Sequence, residues 1–381
     1  MRVLALQLDN FRSYESAEVE FGPGVTTLVG RNGFGKTNVV EAMRYLSTLS
    51  SHRVATDAPL IRAGADAATV RARVEKAGRS LMVEVTLRAG GASNSARIGT
   101  TTVRPREVLG VLRTVIFSPE DLELVKGDPG ARRRFMDELC VALQPRLAGD
   151  LADYDKILRQ RVSMLKTAKN ARGDLTVLDI WDEKLAHTGA RIVVARRRAV
   201  AALAPWVSAA YADVAPGHGE CRLEYVCSFA AQPGMDEQTV EEELLAALRA
   251  KRAQEIERGV TLSGPHRDDL QIWLGDLPAK GYASHGESWS CALALRLGSY
   301  DLLTRDDGPD AHPDGEPVLI LDDVFAELDA GRRAALARRL THASQVFITA
   351  AVAEDVPADL TGAVVQVEPG HLIPAPADPA S

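Results

Sequence analysis

The 381 residues carry a formal charge of −7, with 46% apolar and 25% charged side chains. That balance belongs to a soluble globular chain with core enough for two or three domains, and its sign leaves any nucleic-acid contact to a local basic patch. No apolar run reaches the roughly 18 residues of a membrane span. The start, MRVLALQLDNFRSYESAEVEF, alternates where a signal peptide would be continuously apolar. Cys140, Cys221, Cys227 and Cys291 lack metal-ligand spacing, so free thiols in the cytoplasm are expected.

Three strands are predicted at 3–8, 17–21 and 26–29, with turns at 10–14 and 22–24. The third runs into Gly30-Arg31-Asn32-Gly33-Phe34-Gly35-Lys36-Thr37, and a helix from Thr37 to about Ser50 places Val39, Val40, Met43, Leu46 and Leu49 at helical spacing. Strand, Gly-x-x-x-x-Gly-Lys-Thr and helix in that order form a phosphate-binding loop. Gly30, Gly33 and Gly35 let backbone N–H groups turn inward on phosphate oxygens, and the helix adds its positive N-terminal end. Asn32 joins this nucleotide-binding set. Lys36 is expected to reach the β- and γ-phosphates of ATP, and Thr37 to ligate Mg²⁺.

Ser51-His52-Arg53 and Arg62 flank a polar loop in which Arg53 and Arg62 fit phosphate contacts or ordinary surface positions equally. Residues 67–103 alternate as a β meander with a turn at 90–94, and 114–117 is a further short strand. From Phe135 the apolar residues recur at helical spacing through Leu165, broken or kinked at Pro145, and again from Leu178 to Pro205. An arm of short antiparallel helices is predicted, carrying Arg132-Arg133-Arg134 and Arg196-Arg197-Arg198 as solvated faces or DNA contacts. A strand at 223–229, a helix at 240–256 and a strand at 270–274 follow. Asp306–Pro317 reads as a polar loop, and the chain beyond about Pro369 as a flexible tail.

Val318 to Asp323 is an apolar strand ending in two carboxylates, the second half of a phosphate-loop site. Asp322 is assigned to Mg²⁺ and Asp323 to the attacking water, with Lys36 completing the catalytic set. Ser284-His285-Gly286-Glu287-Ser288 leads into a helix from Trp289 to about Leu303. Its Ser284 and Gly286 make a second anion grip at a helix N-terminus, which suggests a composite site shared between two subunits. Asp329 follows the Asp pair as a D-loop does in the ATP-binding-cassette class. Thr349, ending the strand 346–349, holds the switch position where transporters often have His.

Asn10-Phe11-Arg12-Ser13-Tyr14, GRNGFGKT, Ser51-His52-Arg53, FSPEDL (117–122), GDPGARRRFMD (127–137), SGPHRDDL (263–270), SHGES (284–288) and LILDDVFAELD (319–329) in succession resemble the RecF family, relatives of the SMC proteins. The 248 positions between Lys36 and Ser284 agree: they exceed a transporter cassette and fall short of an SMC coiled coil.

The resemblance implies an α/β fold: an ABC-type P-loop ATPase lobe, of mixed sheet plus helices, with an inserted helical second lobe. The expected divisions are 1–117 and 259–368 for the ATPase lobe, 118–258 for the arm and 369–381 for the tail. It also implies an ATP-dependent homodimer with two nucleotides at its interface, binding to double-stranded and gapped DNA, and loading of RecA with RecR and RecO. Arg12 is placed near the nucleotide base, and no membrane partner is implied. SHGES departs from a Gln-rich signature, the class's Gln-loop glutamine is not placed among Gln144 and Gln160, and His266 and Arg267 are open to packing or functional roles. A transporter or translation-associated cassette, a kinase using the phosphate loop alone, and an SMC-like tether are the rival readings. The long insertion, the absent switch His and the short arm weigh against them.

Overall fold

In the computed structural model residues 1–168, 176–217, 219–305 and 315–375 are described. Period-two alternation near the start produces β1 (Arg2–Phe11), β2 (Tyr14–Glu20) and β3 (Gly24–Val29). After α1 (Lys36–Thr48) come β4 (Ala67–Lys76), β5 (Arg79–Arg88), β6 (Ser95–Ile98) and β7 (Thr101–Val103). All of these strands except β3 join one antiparallel sheet in the order β2-β1-β4-β5-β6-β7. Its inner face is the apolar half of the alternation, Val3, Leu6 and Leu8 on β1 with Val70, Ala72 and Val74 on β4. Its outer face is polar, with Arg71 donating to both Glu84 and Gln7.

The chain then forms β8 (Thr114–Phe117), α2 (Leu122–Lys126), α3 (Pro129–Leu143), α4 (Leu147–Ala168), α5 (Thr176–Val214), β9 (Cys221–Val226), α6 (Glu237–Arg258), β10 (Asp269–Leu274), β11 (Leu277–Pro278) and the single turn α7 (Ala279–Tyr282). It ends with α8 (His285–Thr304), β12 (Val318–Asp322), α9 (Val324–Glu327), α10 (Ala330–Leu340), β13 (Gln345–Ala350), β14 (Ala363–Glu368) and β15 (His371–Pro374). A second sheet runs β15-β14-β3-β13-β12-β8 and is parallel except at β14–β15. β12 and β13 are buried at every residue, as continuous apolar strands of a sheet covered on both faces must be. Val39, Val40, Met43 and Leu46 of α1 share one core with Val70 and Val83 of the first sheet and Ile320 and Phe347 of the second. Gln345 ties the two sheets together at a bulge in β1. It accepts from Val3 N at 2.7 Å and donates to Val3 O at 2.8 Å and Gly22 O at 3.0 Å.

Two compact units result: Met1–Val125, Trp206–Glu220 and Ala283–Ser381 make the first, Lys126–Pro205 and Cys221–Tyr282 the second. The expected boundaries at 118 and 258 therefore move. β10 pairs with β9 along its whole length, which draws 259–282 into the second unit and gives that unit a three-stranded sheet, β11-β10-β9, beside its helices. Nor are the helices short: α4 has 22 residues and α5 has 39, passing through Pro205. Proline removes one intrahelical bond, but Leu203, Val207, Ala210 and Tyr211 are all fully buried and carry the apolar stripe across it. The expected tail is likewise shorter, because Gly370 at φ 79 turns β14 back into β15; residues 376–381 and most of the expected loop at 306–317 lie outside the described residues. Among the described residues no helix is long and apolar enough to cross a membrane.

Candidate nucleotide site

Parallel pairing delivers the C-terminal ends of β3, β13, β12 and β8 to one edge of the second sheet, the edge at which open α/β sheets bind ligands. β3 ends at Val29, and the chain turns through the Gly-rich loop into α1. Gly33 and Gly35 hold φ of 86° and 106°, a region that side chains disfavour. A Cβ on Gly35 would stand 2.9 Å from both Ser13 Oγ and Tyr14 Oη, whereas none of the described residues comes within 4 Å of one on Gly33. The loop is thus clamped from below at Gly35 and open above Gly33. Lys36 folds back over it, buried, its Nζ donating to Gly30 O at 2.8 Å and Asn32 Oδ1 at 3.3 Å.

Register places Asp322 opposite Thr349, and Thr349 opposite Leu28. Thr37 Oγ1 donates to Asp322 Oδ1 at 3.0 Å, and Thr349 Oγ1 donates to the same oxygen at 2.8 Å. Thr349 Oγ1 also accepts the Asp323 N–H at 2.9 Å. Asp323 itself sits at φ 52°, which turns its side chain out of the strand. Burial, and then the neighbouring Asp322 charge, push its carboxyl above the ordinary range against the pull of Lys36, making it a better proton acceptor. Lys36, Thr37, Asp322, Asp323 and Thr349, chosen from motif spacing, thus meet in one place.

Arg12 is engaged elsewhere. Its guanidinium donates to Glu41 Oε2 at 2.8 Å and Oε1 at 2.7 Å, and to Pro59 O at 3.0 Å. Glu41, fully buried on α1, also accepts from Ser51 Oγ and faces Arg53. It holds the 10–14 turn and the 51–54 loop against the nucleotide-loop helix. Motif reading passed over Glu41; the available signal was a carboxylate set among Val39, Val40, Ala42 and Met43 on a helix without a polar face there.

Ser284, Gly286 and Asp329 are gathered by a different set of contacts. Ser284 caps α8 in a reciprocal box with Glu287, accepting Glu287 N–H at 3.2 Å while its own N–H reaches Glu287 Oε2 at 2.9 Å. Asp329 caps α10 and pairs with Arg332, whose Nε donates to Ser290 Oγ at 2.8 Å. A Cβ on Gly286 would stand 2.8 Å from the Arg332 guanidinium. Arg332 therefore links the signature helix to the D-loop position.

The arginine runs are mostly committed to the second unit. Arg132 forks onto Asp269 at 2.7 and 2.8 Å, and Arg196 onto Asp137 at 2.8 and 2.9 Å. Arg133 and Arg197 donate to backbone carbonyls. His266 packs inside the same unit: Tyr154 Oη lies 2.7 Å from Nδ1, and Nε2 lies 3.2 Å from Thr261 O. Gly264, at φ 126°, leaves room for that tyrosine, since a Cβ would stand 2.5 Å from its hydroxyl.

Residues 2–367 match the RecF/RecN/SMC N terminal domain family. The DNA replication and repair protein RecF of Streptomyces avermitilis is 54% identical over 379 residues, 98% of this chain and 99% of that protein. A solved structure of the recombination mediator protein RecF-ATP in the RecFOR pathway is 29% identical with a TM-score of 0.89, covering 98% of this chain and 97% of the other. The Smc head domain of Pyrococcus furiosus, at 15% identity and a TM-score of 0.54 over 98% and 95% of the two chains, shares the fold.

Proposed function

Because the chain belongs to the RecF family, we propose that it is an ATP-switched clamp on double-stranded DNA that acts in recombinational repair. The observation that carries this reading is the meeting of the Lys36 loop with Thr37, Asp322, Asp323 and Thr349 at the carboxyl edge of a parallel sheet. The solved RecF-ATP relative supports ATP as the nucleotide.

In this reading Lys36 exchanges Gly30 O and Asn32 for phosphate oxygens, and backbone N–H groups above Gly33 take the rest of the anion. A hydroxyl and a carboxylate form the hard oxygen set that suits Mg²⁺, and beside Asp322 lie the buried His52 ring nitrogens, which have no hydrogen-bond partner among the described residues. Thr37 and Asp322 would hold it, and when bound it would neutralise developing phosphate charge. Asp323 accepts a proton from the attacking water, with Thr349 fixing its backbone. Arg12 stays with Glu41 and supports the loop, or leaves that pair to meet the base.

Ser284, Gly286 and Asp329 serve the nucleotide of a second copy. ATP then favours the homodimer, because it touches both subunits only when they close. Lys and Arg side chains of the dimer position double-stranded or gapped DNA by its phosphates, and with RecR and RecO the clamp promotes RecA loading in the cytoplasm. Hydrolysis is slow and stimulated by DNA.

The test is the ATP hydrolysis rate against protein concentration, with and without gapped duplex. Specific activity that rises with concentration and with DNA is expected. A constant specific activity indifferent to DNA would return the chain to a monomeric phosphate-loop enzyme.

A further inference from the structure

His52 takes part in none of the hydrogen bonds that build the nucleotide site. Its side chain is 5% exposed, and among the described residues neither ring nitrogen has a hydrogen-bond partner. Buried polar groups are almost always satisfied, and an exception points to a water, ion or ligand that belongs there. The position is held on both sides. Ser51 Oγ donates to Glu41 and accepts the N–H groups of Arg53 at 2.9 Å and Val54 at 3.2 Å. Arg53 in turn donates to Asn38 Oδ1 at 3.3 Å. These contacts tie the residues on either side of His52 to the helix that carries Thr37.

Nε2 stops 3.8 Å from Asp322 Oδ2, beyond direct hydrogen-bond reach. The other carboxylate oxygen, Oδ1, already accepts from Thr37 and Thr349. Two polar atoms at that separation can share one oxygen about 2.8 Å from each, seated to the side of the line that joins them. Asp322 can only accept, so the shared oxygen must carry a proton for it. A phosphate oxygen has none to give. A water has two, one for Asp322 Oδ2 and one for an unprotonated imidazole nitrogen.

We propose that His52 is a binding residue of the nucleotide site, and that it and Asp322 Oδ2 jointly hold a water of the divalent cation's hydration shell. This rests on the nucleotide-binding reading above and adds a residue to it. Cations such as Mg²⁺ keep several waters when bound through few protein ligands, and groups that orient such a shell shift metal affinity by about 10- to 100-fold.

The experiment measures the dissociation constant of a non-hydrolysable ATP analogue, with Mg²⁺ and with EDTA, for the native chain, Lys36→Ala, His52→Ala and His52→Gln. Lys36→Ala should lose the analogue under both conditions. His52→Ala should weaken binding about tenfold with Mg²⁺ and hardly at all in EDTA, with an unchanged melting temperature in the absence of nucleotide. His52→Gln, whose amide oxygen can accept from the same water, should recover most of the loss. Equal weakening in Mg²⁺ and EDTA would make His52 a packing residue and overturn the proposal. So would wild-type affinity of His52→Ala in both, which would leave only a resident water. If the native chain binds no analogue while folded, the nucleotide reading itself fails and takes this inference with it. If Lys36→Ala loses binding and the two His52 variants do not, the inference about His52 fails alone.

Discussion

One hydroxyl, that of Thr349, serves two carboxylate residues, donating to Asp322 Oδ1 and accepting the Asp323 N–H. Thr349→Val keeps the side-chain shape but leaves a buried N–H unpaired, a loss of about 1–3 kcal/mol. If that loss falls on the transition state, single-turnover hydrolysis should slow by roughly 10- to 100-fold while analogue affinity changes little; unaltered hydrolysis would remove Thr349 from the switch. His266 makes a prediction of a different kind. Burial lowers its pKa from 6.5 to about 4, so between those values the unfolded chain binds a proton that the folded chain refuses. Stability should therefore fall as pH drops from about 6.5 to 4, by on the order of 3 kcal/mol in total. Denaturant melts across that range should show the slope in the native chain and a smaller one in His266→Gln. The residues that spacing could find were those whose roles are local, such as Lys36 and Thr37. Glu41 and His52 gain their meaning from Arg12, 29 positions away, and from Asp322, far along the chain; a carboxylate among apolar neighbours marks Glu41 as unusual, but local spacing names neither partner.

At the scale of elements, α4, α5 and α6 of the second unit meet at a buried arginine. Arg161 is fully buried and donates to Asp182 and Glu255, both at 2.6 Å, and to Thr261 at 2.8 Å. Arg161→Leu would leave Glu255 buried without its cation and Asp182 with Arg252 alone, and breaking a buried pair in this way costs about 3–5 kcal/mol. A denaturation midpoint within error of the native one would show that Asp182 finds enough in Arg252. The helices themselves were legible, because 3–4 spacing survives in α3, α4 and α6. Their extents were not. Pro205 reads locally as a stop, and only the burial of Val207 and Tyr211 keeps α5 going. β10 looked like part of the ATPase lobe because it follows α6 and precedes the signature. Its partner β9 lies more than forty residues upstream, and pairing of that kind is fixed by register rather than by composition.

For the whole molecule, the division of the candidate site into two clusters sets the test. Ser284→Arg should leave ATP-analogue binding intact while hydrolysis loses its dependence on protein concentration. The α8 cap goes with it, so a stability loss of about 1 kcal/mol should accompany the change. A variant that still dimerises on ATP as the native chain does would refute the shared site.

The strand that bears the phosphate loop also has a history. Both neighbours of β3, β13 and β14, belong to the last part of the chain, and the Gln345 clasp on Val3 spans 342 positions. At 5–20 residues per second a ribosome needs roughly 15–60 s to travel from Val29 to Gln345. For that interval β3 is a strand with two open edges, and every strand and helix of the second unit is made before its first partner appears. Long-range parallel pairing is slow and exposed to aggregation. Synthesis order therefore makes the ATPase sheet the last part of this chain to close, and a nascent chain halted before Gln345 carries a phosphate-loop sequence with no sheet to hold it.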